Sequence, residues 1–159
     1  MKEQWRLETK PLIYAGGIHM PYTWTVGETG SRFFMEFRDK KRIMGSRCPK
    51  CHVVWVPVRL RCPECYVEIG RDLWIEVGPH GTLRHFTVVN YSHPAHPRPA
   101  PFAYGVIDLD SASRGFTHLI SGTELTGLRP GLRLKPVWSS ERQGCILDIE
   151  YFTPIGGQP

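Results

Sequence analysis

The chain has 159 residues, of which 41% are hydrophobic and 22% charged, and its formal net charge is +5. This composition is typical of a globular protein with one medium domain, or with two small units that share a core. It excludes a membrane helix, because no apolar run is long enough, and the first residues lack the apolar segment of a signal peptide. The sequence therefore predicts a cytoplasmic protein, and its positive charge favours an anionic partner such as nucleic acid, a phosphorylated cofactor or an acidic protein surface.

Residues 1–30 form an aromatic-rich arm in the predicted organisation. Glycines and prolines interrupt this segment throughout, and between them lie Trp5, Tyr14, Tyr22 and Trp24. A loop-like segment with so many aromatic side chains is expected to pack on the body of the protein or on a partner.

A short helix is predicted next, over residues 32–41, with Ser31 as its N-cap. Phe33, Phe34 and Phe37 recur at helical spacing and share one face. We expect this face to dock either on the segment that follows or on a partner protein, and the sequence does not choose between them.

Two CxxC pairs follow the helix, and ten residues separate them. Two such pairs, each on a tight turn, predict one tetrahedral zinc site with the ligands Cys48, Cys51, Cys62 and Cys65. Four thiolates leave no open position for water, so this zinc should be structural. Disulfides would need an oxidising compartment, and a redox dithiol rarely uses two CxxC pairs in register. Iron suits the same four thiolates and stays a possible alternative to zinc.

The rest of the chain has the pattern of β-strands, often alternating and rich in β-branched residues. The predicted strands are residues 53–57, 73–77, 81–90, 102–109, 116–121, 133–138 and 146–152, with a helical turn at 124–128 and Pro136 at an edge or a bulge. Five strands with a helical turn between the third and the fourth match the OB-fold, a small Greek-key barrel. The predicted fold is thus mainly β: a helix and a rubredoxin-like zinc ribbon over residues 31–78, and a five-stranded OB-fold over residues 79–159.

Over residues 31–153 the chain resembles proteins that join a rubredoxin-like zinc ribbon to an OB-fold and are associated with acyl-CoA metabolism and thiolases. The shared features are the helix, the double CxxC, a tryptophan strand, a Pro/His loop and the stretches Val56-Pro57-Val58-Arg59, Gly81-Thr82-Leu83 and Gly131-Leu132-Arg133-Leu134. In such families the protein is an accessory subunit of a thiolase-fold enzyme, as in archaeal ketoacyl-CoA thiolase complexes, steroid side-chain aldolases and the benzylsuccinate-pathway thiolase of anaerobic toluene degradation. We favour the last of these, which implies thiolytic cleavage of an aromatic 3-oxoacyl-CoA.

The resemblance also implies which subunit performs the chemistry. The catalytic cysteine and histidines would belong to the thiolase subunit, and this chain would stabilise it and help to form the acyl-CoA channel. The expected assembly is a heteromer of two plus two chains.

Coenzyme A carries phosphates, and arginines can hold phosphates through two parallel hydrogen bonds. The candidates in predicted loops are Arg59, Arg61, Arg98 and Arg114, although the solvated surface is the more usual place for each of them taken singly. Four prolines stiffen residues 92–101, a loop that also carries His93 and His96. We expect this loop to contact a partner or ligand; its alternative role is a rigid connector, and a second metal or a proton transfer at the two histidines has less support.

Three other functions stay open at this point. An enzyme would have to use His85 or His118 on barrel strands, because Cys145 is the only cysteine outside the CxxC pairs and is expected to be a buried small hydrophobe. A single-stranded nucleic-acid binder is the runner-up, since zinc ribbons and OB-folds both bind nucleic acids, but a dense basic groove is missing. A structural adaptor that never contacts CoA is the third.

Overall fold

The computed structural model describes residues 12–14, 16 and 22–156. Within these residues the fold is mainly β, as predicted, with one α-helix, α1 (Gly27–Lys40). The strands are β1 (Ile43–Arg47), β2 (Val54–Trp55), β3 (Trp74–Val77), β4 (Gly81–Val89), β5 (Phe102–Leu109), β6 (Phe116–Ile120), β7 (Arg133–Trp138) and β8 (Ile149–Pro154). Trp5 of the predicted arm lies outside the described residues. No helix in the described part is both long and apolar enough to cross a bilayer.

Helix α1 begins earlier than the sequence predicts, so the assignment of Ser31 as its N-cap is wrong. The Ser31 hydroxyl instead donates to the Gly27 carbonyl oxygen at 2.7 Å, one turn back inside the helix. Glu28 in the first turn pairs with Arg71 of the ribbon, and a carboxylate there also suits the helix dipole. This contact across the fold supports the extra turn, and a local capping pattern could not reveal it.

The ribbon contains a three-stranded antiparallel sheet in the order β2-β1-β3. Its central strand β1 was not predicted, because Gly45 and Ser46 weaken its β pattern. A side chain at Gly45 would meet Val54 at 2.8 Å and Val77 at 3.0 Å. The glycine is therefore required for the close approach of its two neighbouring strands.

The second part is a closed barrel of five strands in the order β4-β5-β6-β8-β7, which confirms the predicted OB-fold. The pairs are antiparallel except β6 with β8, and a bulge in β4 falls between Leu83 and His85. The helical turn lies between β6 and β7 as predicted, at Leu125–Gly127. Another irregularity, between Val137 and Trp138, follows Pro136 directly.

The last strand begins later than predicted. Residues Ile146–Asp148 form a 3₁₀ turn, and β8 starts at Ile149. The expectation that Cys145 is buried is also wrong, because its side chain is exposed at the start of this turn. Asp148 explains the turn: its buried carboxylate accepts the backbone N–H groups of Gln143 and Gly144, both at 2.8 Å.

Helix, ribbon and barrel share one hydrophobic core. Phe33 and Phe37 of α1 are fully buried, and the Phe37 ring meets Trp138 of β7 edge to face at 5.5 Å. The same cluster includes Ile43 of the ribbon and Leu134 of the barrel. The phenylalanine face of the helix therefore docks on the chain itself, which the sequence left undecided.

Candidate functional site

The four predicted zinc ligands converge on one point. Their sulfur atoms all lie within 4.8 Å of one another, and the Sγ atoms of Cys51 and Cys62 are 3.7 Å apart. A tetrahedral ion with Zn–S bonds of ~2.3 Å would place its sulfurs about 3.8 Å apart. The geometry therefore fits a zinc ion, which would cross-link the two CxxC turns when bound.

The two CxxC turns repeat the same backbone structure. In the first turn, the Cys48 N–H donates to Val53 O, and the His52 N–H donates to Cys48 O. In the second turn, the Cys62 N–H donates to Val67 O, and the Tyr66 N–H donates to Cys62 O. His52 and Tyr66 both adopt left-handed backbone angles, with φ of 60° and 58°. Because the residue after the second cysteine is left-handed, the chain reverses sharply, and each turn still forms these two backbone hydrogen bonds.

Backbone N–H groups point at the sulfurs and prepare them for a cation. The N–H groups of Lys50 and Cys51 both approach Cys48 Sγ at 3.4 Å. Burial raises the pKa of the Cys62 thiol, but hydrogen bonds from the N–H groups of Cys65 and Glu64 outweigh it and bring this pKa to about 7. Burial and the neighbouring sulfurs raise the pKa of Cys65 to about 12. Four thiolates this close repel one another, so full ionisation requires a bound cation.

The cysteines lie in a small core of their own. Cys48 and Cys62 are buried beside Ile69, and Trp55 and Leu73 pack against them. This cluster is small, so the cross-link from a bound metal would add to the stability of the ribbon.

A second candidate site lies on the outer face of the barrel. A side chain at Gly105 would meet Ile120 and Leu83 inside the barrel, so its neighbours on β5, Tyr104 and Val106, point outward. His118 of β6 points inward and is 3% exposed. Its neighbours on β6, Thr117 and Leu119, therefore point outward. We define the outer face by the side chains of Tyr104, Val106, Thr117 and Leu119.

Two shallow cavities lie side by side on this outer face. The first, of about 250 Å³, is lined by His85, Thr87, Tyr104, Val106 and Thr117. The second, of about 310 Å³, is lined by Leu119, Leu147 and Tyr151 together with Pro97, Arg98 and Glu150. Because Thr117 and Leu119 are alternate residues of one strand, the two cavities are about 7 Å apart along β6.

The proline-rich loop covers one end of the outer face. The His96 ring packs against Tyr91 at 5.2 Å and against Phe102 at 5.3 Å. His93 lies beside it, with ring centroids 5.6 Å apart, and its Nδ1 accepts the Ala95 N–H. Among the described residues, only the four ribbon cysteines form a cluster of three or more such metal-binding groups. The structure thus gives the two histidines a packing role in this loop.

Of the four candidate arginines, only Arg98 reaches the outer face. Arg61 lies on the second CxxC turn, with its guanidinium 3.7 Å from the Glu68 carboxylate. Arg59 lines a separate cavity of about 720 Å³ between the start of α1 and the ribbon. Arg114 pairs with Glu64 at the junction of ribbon and barrel. The loops that carry these residues diverge in space, which sequence order does not show.

The two histidines weighed for an enzyme do not form a pair. His85 is exposed on the bulge of β4, on the outer face. His118 lies inside the barrel, where its Nε2 is 3.1 Å from the Ile146 carbonyl oxygen and burial lowers its pKa. Sequence reasoning also missed Leu119, Leu147 and Tyr151 as lining residues. Alternation along β6 and β8 was the only signal for Leu119 and Tyr151, and Leu147 lies on the 3₁₀ turn before β8, where alternation gives no signal.

Comparisons with known proteins agree on one group. Residues 74–139 match the family model described as the ChsH2 C-terminal OB-fold domain. A DUF35 domain-containing scaffold protein from Methanothermobacter thermautotrophicus is 22% identical over 89 residues, which are 56% of this chain and 66% of that protein. The match therefore spans just under two thirds of that relative.

Two solved structures share the fold. One is a protein of unknown function from the DUF35 family of Sulfolobus solfataricus, with a TM-score of 0.56, 22% identity, and coverage of 70% of this chain and 78% of that one. The other is a chain of the Ltp2–ChsH2(DUF35) aldolase, with a TM-score of 0.61, 19% identity, and coverage of 83% and 98%. These likenesses show a shared fold, and the family match is limited to residues 74–139.

Proposed function

We propose that this chain is the non-catalytic subunit of a heteromeric complex with a thiolase-fold enzyme that acts on acyl-CoA. The outer face of the barrel carries this proposal. Its apolar floor runs from Val106 past Tyr104 to Leu119, and Arg98 lies at the far end, in a cavity that Glu150 also lines. A long, thin, largely apolar ligand with a phosphate at one end matches this order of groups.

The shallowness of the outer face supports a role as a subunit. Tyr104 and Val106 are only half-buried and Thr117 is exposed. A site that holds a small ligand by itself normally buries most of the ligand's surface. The second wall of an acyl-CoA channel would therefore come from the partner, whose own residues would perform the chemistry. The zinc, held by four thiolates, would keep the ribbon folded.

Two reactions fit this arrangement. Thiolytic cleavage of an aromatic 3-oxoacyl-CoA, in a two-plus-two cytoplasmic complex, is our first candidate. The second is an accessory role in an aldolase that acts on a steroid side chain. The family model that matches residues 74–139 shares the ChsH2 name with the Ltp2–ChsH2(DUF35) aldolase, which supports the aldolase class of this second candidate. Both place the chain beside a thiolase-fold partner, and they differ in the class of reaction.

Single-stranded nucleic acid is a weaker ligand for the same face. Tyr104 could stack on a base, but a nucleic-acid groove tracks the backbone with several cations. Of the four candidate arginines, only Arg98 lines the outer face. A short patch of this kind suits one phosphate group better than a chain of them.

Affinity capture of the tagged chain from its native extract tests the proposal. The eluate should contain a thiolase homologue, and we would assay it for CoA-dependent thiolysis and for retro-aldol cleavage of acyl-CoA substrates. Whichever reaction appears identifies the class, and it should disappear when the partner is purified alone. Recovery of the chain without such an enzyme, or with nucleic acid, would refute the proposal.

A pair of arginine variants then tests the contact with CoA. Arg98→Ala should raise the KM for acyl-CoA about tenfold, the effect of losing one charge-assisted hydrogen bond. Arg61→Ala is the matched control, because its guanidinium lies beside Glu68 on the ribbon. Equal KM values in both variants and the wild type would leave a structural adaptor that never contacts CoA.

A further inference from the structure

The loop between β5 and β6 (residues 110–115) reaches across to the ribbon. Ser113 exchanges two hydrogen bonds with Val54 of β2: the Val54 N–H donates to Ser113 Oγ at 3.0 Å, and the Ser113 N–H donates to Val54 O at 3.0 Å. The next residue, Arg114, pairs with the Glu64 carboxylate. Its guanidinium carbon also lies 5.1 Å from the centre of the Trp55 ring.

Both partners of Arg114, Glu64 and Trp55, lie beside the cluster of four ribbon cysteines, which we call the cysteine cluster. Glu64 lies between Cys62 and Cys65 in the second CxxC turn. Trp55 packs against the small core that the buried cysteines form. The positions of the Glu64 carboxylate and the Trp55 ring therefore depend on whether the two CxxC turns are held together.

The other side of the same loop is fixed to the barrel. The Gly78 N–H donates to Asp110 O at 2.8 Å, and the Asp110 N–H to His80 O at 2.9 Å, which ties the loop to the link between ribbon and barrel. Arg133 of β7 holds the Asp110 carboxylate through two hydrogen bonds, at 2.8 and 2.7 Å. The loop is thus a short, doubly anchored connection between the cysteine cluster and the strands of the outer face.

We infer that metal occupancy of the cysteine cluster and docking of this loop are coupled, with Arg114 as the positioning residue. A bound ion holds Glu64 and Trp55 where Arg114 can contact both. The coupling is reciprocal, because one free energy links the two events. A docked loop must therefore raise the affinity for the metal, which we expect to appear as slower metal release, and loss of the metal must loosen the loop. This inference does not depend on the proposed function.

The contacts set the size of the effect. Arg114 and Glu64 are both about half-exposed, and exposed ion pairs are individually weak. The stacking of a guanidinium on an indole adds a contribution of similar size. Together they predict that removing the Arg114 side chain speeds metal release about fivefold to tenfold.

The test measures zinc release from the full-length, zinc-loaded chain to a coloured chelator in excess. Arg114→Ala should release zinc about fivefold to tenfold faster than the wild type. Arg38→Ala is the matched control, because Arg38 is about as exposed as Arg114 and pairs with Asp39 within α1. Its release rate should equal that of the wild type. Rates for Arg114→Ala within twofold of the wild type would overturn the inference.

Two further measurements remove the dependence on one variant. Glu64→Gln keeps all four cysteines and should also release zinc faster than the wild type. The double variant Glu64→Gln/Arg114→Ala should release zinc no faster than Arg114→Ala alone, because both changes break the same ion pair. Effects that multiply in the double variant would show independent contributions and overturn the coupling. Hydrogen exchange on the zinc-loaded Arg114→Ala protein should rise at the Ser113 amide and stay unchanged at Ile107 of β5. Unchanged exchange at Ser113 would contradict the inference.

Discussion

Replacing Phe37 by alanine tests whether helix α1 belongs to the core of this protein. The Phe37 side chain is 0% exposed. Its ring lies 4.7 Å from that of Phe33 and 5.5 Å from that of Trp138, the latter edge to face. The substitution therefore leaves a cavity at the interface of helix and barrel, and it removes the aromatic contact between Phe37 and Trp138.

The expected loss of stability follows from these contacts. Deleting a fully buried phenylalanine side chain costs about 3–5 kcal/mol, and an aromatic pair in this geometry accounts for about 0.5–1.5 kcal/mol beyond its buried area. Small domains are stable by only about 5–15 kcal/mol in total. We therefore expect Phe37→Ala to lower the free energy of unfolding by about 4 kcal/mol, a large share of the whole.

Urea unfolding of the zinc-loaded protein, followed by circular dichroism, measures this change. Met35→Ala is the matched control, because Met35 lies on the same helix but is 46% exposed. Its effect should stay within about 1 kcal/mol, as for most surface substitutions. A double-mutant cycle of Phe37→Ala with Trp138→Ala should give a coupling of about 1 kcal/mol.

A small effect would refute this reasoning. If Phe37→Ala cost less than about 1 kcal/mol, the value typical of surface sites, the helix would contribute little to the common core. The phenylalanine face would then be free to dock on a partner, the alternative that the sequence left open.

Three further predictions concern the titratable side chains. Cys62→Ser should abolish stoichiometric zinc by metal analysis, because one of the four thiolates is lost, whereas Cys145→Ser should keep one ion per chain; retained zinc in Cys62→Ser would contradict the site. In zinc-free protein near neutral pH, the Cys62 thiol should be partly ionised while Cys65 stays protonated, since their pKa values are about 7 and about 12; thiolate absorbance should therefore be lower in Cys62→Ser than in the wild type, and equal absorbance would count against it. Burial lowers the pKa of His118 below its ordinary 6.5, so the unfolded chain binds the proton first and stability should fall as the pH drops below about 6.5. Urea midpoints at several pH values should show a smaller fall in His118→Leu, and an equal fall would exclude His118 as the cause.

The chemistry of the ribbon could be predicted because its signal is local. Two CxxC pairs at a suitable spacing predict that the four cysteines come together, since each pair only has to form one tight turn. The five barrel strands were also predictable, because alternation of apolar and polar residues reports which side of a strand is buried. The order of these strands with one helical turn was enough to identify the OB-fold.

Other features depend on contacts between distant parts of the chain. Strand β1 carries a glycine that makes sense only once Val54 and Val77 lie on either side of it. The extra turn of α1 is accompanied by the pairing of Glu28 with Arg71. The exposure of Cys145 follows from a turn that the Asp148 carboxylate stabilises.

The sequence by itself therefore determined the cluster of four cysteines, the fold class and the general order of the strands, because short-range spacing and periodicity encode them. Only the tertiary structure decided that the phenylalanine face packs inside the chain, that Arg98 alone among the candidate arginines reaches the outer face, and that Arg114 contacts the cysteine cluster. These outcomes depend on how loops far apart in the chain come together when the core closes. Spacing along the sequence carries no information about distances of that kind.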